Sequence, residues 1–306
     1  MTEMPDDQLL TLPDGRRLSY AVFGSPGSRL SPIFYFHGFP GTHCEAFTLH
    51  DAASRRGIQI ISITRPGYGG STYQDGRTIL SFADDVLAIA DHLGAHRFAL
   101  AGMSGGSPYV LACLRAIPRE RLLGAAIVSG MYPTKLGTEG MMLVNRVLLA
   151  VAPWATGFVS IVFDAAVGRM TRGDPEDYKR AMVDSFKSRP AEDLKALEAN
   201  DGRMLKVLMK STRDALQDGG KGSAWEARLL GSDWGFELGD LKVDQGKVVL
   251  WHGGKDINCP LAMARKAATM IAGAELRVYE EEAHASLLVN RMDEIMDTLE
   301  SFLGPA

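Results

Sequence analysis

Short apolar runs alternate with amphipathic stretches through the first and last thirds of the chain. Leu9–Leu12 and Leu18–Phe23 flank the turn signal Pro13-Asp14-Gly15 and read as a hairpin. Ile33–Phe36, Ile58–Ile63, Phe98–Ala101 and Leu123–Ser129 each have the length of a buried strand. Helical patterns lie between these runs. Ile79, Phe82, Ala83, Val86, Ala90 and Leu93 recur at helical spacing, and Gly94 follows as a stop. Ser107 to Ile117 forms a second helical stretch that ends before Pro118. Strands alternating with helices predict an α/β fold with a mostly parallel central sheet and helices on both faces.

The rhythm breaks after Ser129-Gly130. From about Met131 to Val243 the patterns are helical, punctuated by Gly173-Asp174-Pro175, Arg189-Pro190 and Gly219-Gly220. Strand–helix alternation then resumes with Lys247–Trp251, a helix near Pro260–Ile271, the strand Glu275–Tyr279 and a last helix that carries Met292, Ile295, Leu299 and Phe302 on one face. The expected organisation is a core of residues 1–130 and 244–306, with 131–243 inserted as a helical cap, or lid. An insertion bounded by core strands should sit over the carboxyl edge of the sheet, where open α/β sheets place their ligands.

The segment Met141 to Phe163 is apolar, but Asn145, Arg146, Pro153 and Gly157 interrupt it, so no membrane span is expected. It carries more apolar surface than one buried stripe requires. The excess, with Trp154 and Phe158 in it, is expected to line a substrate pocket. The rival reading makes it the face of a homodimer.

Composition narrows the function classes. The chain has 306 residues, 46% of them hydrophobic and 23% charged, which suits a packed globular protein. Its 33 basic and 37 acidic residues give a net charge of −4 without a basic run, so nucleic acid is not expected as a partner and a small molecule is. Cys44, Cys113 and Cys259 are too far apart in sequence for a zinc motif and odd in number, which predicts reduced thiols. The opening MTEMPDDQLL lacks the basic and apolar regions of a secretion signal, so a cytoplasmic location is expected.

The chemistry concentrates at a few positions. Gly102-Met103-Ser104-Gly105-Gly106 matches Gly-x-Ser-x-Gly between a predicted strand and a predicted helix, the context of a nucleophile elbow. A serine hydroxyl needs a base, and His284 follows the last predicted strand, where a loop would bring it to the elbow. Asp256 follows the preceding strand and is placed to orient the His284 ring. The chain order is Ser, Asp, His. His37-Gly38-Phe39-Pro40-Gly41 closes an earlier strand; the N–H groups of Phe39 and Gly105 are expected to hold an oxyanion, and His37 is read as structural.

These segments, with Thr64-Arg65-Pro66-Gly67-Tyr68-Gly69-Gly70-Ser71 and Asp233-Trp234-Gly235-Phe236, resemble the α/β-hydrolase fold superfamily, in the capped branch of esterases, lactonases, C–C bond hydrolases and proline iminopeptidase-like enzymes. The resemblance covers both halves of the core and implies a serine hydrolase without metal or organic cofactor. Relatives that open epoxides or remove halides carry aspartate at the elbow, where this chain has Ser104. Peroxidase-like and iminopeptidase-like relatives commonly place a tryptophan beside the serine; here Met103 and Gly105 flank it. The leading expectation is cleavage of a small, largely apolar carboxylic ester or lactone through an acyl-enzyme. The alternatives are an amide or peptide hydrolase of the iminopeptidase type, a C–C bond hydrolase, or a small-molecule receptor on the same fold. The iminopeptidase reading needs a carboxylate for a free amine, and Asp164, Asp174, Glu176, Asp177 and Asp184 are the lid acids that would supply it.

Overall fold

Strands buried on both faces should be apolar at every position, with alternate residues feeding two separate cores. The computed structural model, which describes residues 4–305, bears this out. Phe34 and Phe36 join one core while Ile33 and Tyr35 join the other. Phe98 and Leu100 alternate in the same way with Ala99 and Ala101. The strands are β1 (Gln8–Thr11), β2 (Arg17–Gly24), β3 (Ile33–Phe36), β4 (Gln59–Ile63), β5 (Phe98–Met103), β6 (Leu122–Val128), β7 (Val248–Gly253) and β8 (Glu275–Tyr279). They form one sheet in the order β1-β2-β4-β3-β5-β6-β7-β8. β2 pairs antiparallel with both β1 and β4, and every later neighbour is parallel.

The helices are α1 (His50–Arg55), α2 (Phe82–His92), α3 (Ser107–Ala116), α4 (Leu143–Val151), α5 (Thr156–Phe163), α6 (Arg169–Thr171), α7 (Pro175–Lys187), α8 (Ala191–Ala215), α9 (Lys221–Gly231), α10 (Leu261–Met270), α11 (His284–Asn290) and α12 (Met292–Phe302). α2, α3 and α10 cover one face of the sheet, and α1, α11 and α12 cover the other. Helices α4 to α9 all lie between β6 and β7, and that stretch adds no strand to the sheet among the described residues. α8 is broken where Asn200, Asp201 and Gly202 adopt left-handed backbone. No described helix is long and apolar enough to cross a membrane.

The sheet order decides where chemistry can occur. β4 lies on one side of β3 and β5 on the other, so the loops leaving β3 and β5 diverge and open a crevice at the carboxyl edge. β3 and β5 are direct neighbours, with Phe36 opposite Gly102. The His37–Gly41 segment and Ser104 therefore emerge side by side. β7 and β8 are also paired, with Gly253 opposite Tyr279, which brings the loops bearing Asp256 and His284 together.

Candidate active site

Ser104 follows β5 directly and has φ of 52°, a left-handed conformation that is costly for a residue with a Cβ. The turn is possible because its flanks are bare. A Cβ at Gly106 would fall 2.1 Å from the Phe36 carbonyl oxygen, and one at Gly102 would fall 2.7 Å from Val110 Cγ2. The Ser104 carbonyl accepts from the Met131 N–H and the Ser107 hydroxyl, which fixes the turn from the β6 side. The elbow places Ser104 in a cavity of about 480 Å³ that His284 and Cys259 also line. Burial pushes the Cys259 thiol well above its ordinary pKa, assisted by the Asp256 charge, so it is a neutral neighbour.

His284 is the first residue of α11, not a loop residue as the sequence suggested. Three contacts hold it. Its Nδ1 lies 2.7 Å from Asp256 Oδ2. Its carbonyl accepts from the Ser129 hydroxyl at 2.8 Å. Asp193, on α8, accepts the N–H groups of Ala285 and Ser286 through Oδ1 at 2.7 and 3.1 Å, capping the helix that carries His284. Asp256 is held in turn by the N–H groups of Asn258 and Cys259, both donating to Oδ1. With Oδ1 so occupied, Oδ2 faces the ring, and the proton on Nδ1 leaves Nε2 as the free acceptor.

The electrostatics follow from this pairing. Burial by itself would push the His284 pKa down, but the charge and hydrogen bond of Asp256 outweigh it and raise the ring above the ordinary 6.5. Burial would raise Asp256, yet the charge of His284 and its hydrogen bond hold that carboxyl below its ordinary value. No hydrogen bond joins Ser104 Oγ to the His284 ring among the described residues; such pairs often tighten only in the substrate complex.

The Phe39 and Gly105 backbones lie side by side at the cavity. A Cβ on Gly105 would lie 2.6 Å from Phe39 Cβ and 3.2 Å from Phe39 N, so the two backbones are in contact. Neither N–H has a protein acceptor among the described residues. A buried network supports this loop. Arg65, which leaves β4, donates to the carbonyls of His37 at 2.6 Å and Gly38 at 2.9 Å. Holding both carbonyls orients the peptide that ends in the Phe39 N–H. Arg65 Nε lies 2.7 Å from Glu226 Oε1 on α9; the pair is ionic, since the N–H is not directed at the oxygen. Glu226 also pairs with Arg77 and accepts from the Tyr109 hydroxyl. His37 donates Nδ1–H to Gly38 O and accepts the Arg65 N–H on Nε2, and burial together with the Arg65 charge keeps it neutral. Glu45 accepts from Gly38 N–H and the Tyr35 hydroxyl, and burial raises its pKa.

Ser104, His284, Phe39 and Gly105 thus line one cavity, with Asp256 paired to His284. Asp193, Ser129, Glu45, Glu226 and Arg189 escaped sequence reasoning. A buried acid on a helix reads as solvated charge until its partners across the fold are known. The apolar segment is also only partly as expected. Met141, Leu148 and Phe163 line the cavity, but Trp154 is 91% and Phe158 64% exposed. α4 and α5 each turn one face inward; Phe158 falls on the outer face of α5, and Trp154 sits in the exposed turn between the two helices. The acids between residues 164 and 184 take up surface roles. Asp174 caps α7, and Asp164, Glu176, Asp177 and Asp184 pair with Arg172, Lys179, Arg180 and Lys187.

Known proteins extend the picture. A bifunctional esterase/perhydrolase of Acinetobacter calcoaceticus is 27% identical over 131 residues, which is 42% of this chain and 47% of that protein, so the match spans about half of each. Among solved structures, an esterase from Exiguobacterium antarcticum superposes with a TM-score of 0.65 at 19% identity, covering 97% of this chain and 99% of the other. The enol-lactonase of Burkholderia xenovorans LB400 gives 0.63 at 19% identity, covering 96% and 99%. An epoxide hydrolase gives 0.70 at 16% identity, covering 97% and 98%, so likeness of fold does not choose the bond that is cleaved. The model of the alpha/beta hydrolase family matches residues 33–298, nearly the whole chain, and to that family this protein belongs.

Proposed function

We propose that the protein is a serine hydrolase of carboxylic esters or lactones, with Ser104 as nucleophile, His284 as base and Asp256 as its orienting carboxylate. The observation that carries this reading is His284, paired with Asp256 at 2.7 Å, lining one cavity with a serine on a left-handed elbow. Ser104 Oγ attacks the carbonyl carbon as its proton passes to His284 Nε2. The tetrahedral oxyanion receives the N–H groups of Phe39 and Gly105. Its collapse expels the alcohol oxygen, which takes the proton from His284 and leaves an acyl-serine. Water, deprotonated by the same ring, then releases the acid.

The α4–α9 segment acts as the cap in this reading: it roofs the cavity, and Asp193 ties it to the histidine-bearing helix. None of the acids expected to bind a free amine lines the cavity, which favours esters and lactones over aminoacyl amides. The outward apolar strip around Trp154 supports the homodimer, which sedimentation would test. For the chemistry, the test is a fluorophosphonate probe with a panel of p-nitrophenyl esters and lactones. Labelling should map to Ser104, and Ser104→Ala should lose at least about 10³-fold in turnover while keeping its fold. A folded Ser104→Ala protein within tenfold of wild type would overturn the assignment.

A further inference from the structure

Arg189 lies between α7 and α8, immediately before Pro190, and lines the same cavity as Ser104 and His284. Its Nε is buried without a hydrogen-bond partner, and no side-chain hydrogen bond or ion pair engages the guanidinium among the described residues. The Phe186 ring stacks against it, with its centroid 4.1 Å from the guanidinium carbon. Cations withdrawn from water are ordinarily paired. Arg65 and Arg77, the fully buried guanidiniums near the site, share Glu226.

Two acids at the cavity are already engaged. Glu45 accepts from Gly38 and Tyr35, and Asp256 is taken by His284 and two backbone N–H groups. Asp193 gives Oδ1 to α11; its Oδ2 has no hydrogen-bond partner and lies beyond ion-pair distance of Arg189, on which it acts as a longer-range charge. Much of the remaining wall is apolar, including Phe39, Met103, Met141, Leu148, Phe163 and Leu208. A planar fork of donors stacked on an aromatic ring suits one ligand group above others, a carboxylate.

We infer that Arg189 anchors a carboxylate carried by the substrate, so that the molecule cleaved at Ser104 has an apolar body and an anionic end. This rests on the hydrolase reading above and narrows its substrate class from neutral esters to carboxylated esters or lactones. The test is a matched pair: the mono-p-nitrophenyl ester of adipic acid, and the same ester with its far carboxyl converted to a primary amide. Wild type should favour the acid by at least about tenfold in kcat/KM. Arg189→Met should cut kcat/KM for the acid on the order of 10²-fold, as removal of one partner of a partly desolvated charge pair does, and collapse the preference. Arg189→Lys should restore part of it. A wild type that favours the amide, or a loss on Arg189→Met equal for both compounds, would overturn the subsite. A second readout needs no turnover: Ser104→Ala protein titrated with hexanoate and with hexanamide. Hexanoate should bind at least about tenfold tighter, and Arg189→Met should abolish the difference. Equal binding overturns the subsite, whereas selective hexanoate binding by a protein whose wild type cleaves neither ester would overturn only the hydrolase reading.

Discussion

Replacing Glu226 by glutamine should cost more stability than any surface substitution in this protein. The carboxylate is fully buried and faces two buried guanidiniums, Arg65 at 2.7 Å and Arg77 closer still. Burial alone would raise its pKa, but the two positive charges outweigh that and hold it ionised. The amide would leave both cations in place with no carboxylate in contact. Breaking a buried pair in this way costs about 3–5 kcal/mol, because the stranded ion keeps its desolvation penalty. With 306 residues and an unfolding entropy of about 2.1 cal/mol/K per residue, that penalty lowers Tm by about 5–8 °C. Thermal unfolding followed by circular dichroism, with urea titration as a check, reads the change. In an Arg77→Met background one stranded cation is gone, so the same substitution should cost less than the sum of the singles. A Tm drop below about 2 °C, or strict additivity, would refute the claim that this cluster is charge-balanced through Glu226.

Two further outcomes follow from the site. His284 must be neutral to accept the serine proton, and Asp256 raises its pKa. Activity should therefore fall with decreasing pH along a limb centred above the ordinary histidine value of 6.5. Asp256→Asn should lower kcat about 10⁴-fold and move that limb down; a wild-type limb below the ordinary value would contradict the pairing. Trp154→Ala and Phe158→Ala should leave kcat/KM for a short ester within about twofold, since both rings face solvent. A loss above tenfold in steady-state assays would place them at the substrate instead.

Much of this protein is local physics and therefore legible along the chain. Buried strands announce themselves by apolar runs, and the strand–helix alternation implies parallel pairing. The elbow at Ser104 requires glycines at 102 and 106 because the Phe36 carbonyl and Val110 leave no room for a Cβ there. The positions of Asp256 and His284 after successive strands follow from the same alternation. Contacts between residues far apart in sequence are another matter. Arg77 and Glu226 are 149 positions apart, and Asp193 reaches Ala285 across 92, so no local pattern distinguishes them from solvated charges. The turn of a short helix about its own axis is equally silent when the helix is apolar on most sides. α4 and α5 can present either face, and packing against α9 settles which, leaving Phe163 inside and Phe158 out. Arg189 is the sharpest case. In sequence it is one arginine before a proline, and only the fold decides that it lines the cavity that also holds Ser104, without a carboxylate in ion-pair contact among the described residues.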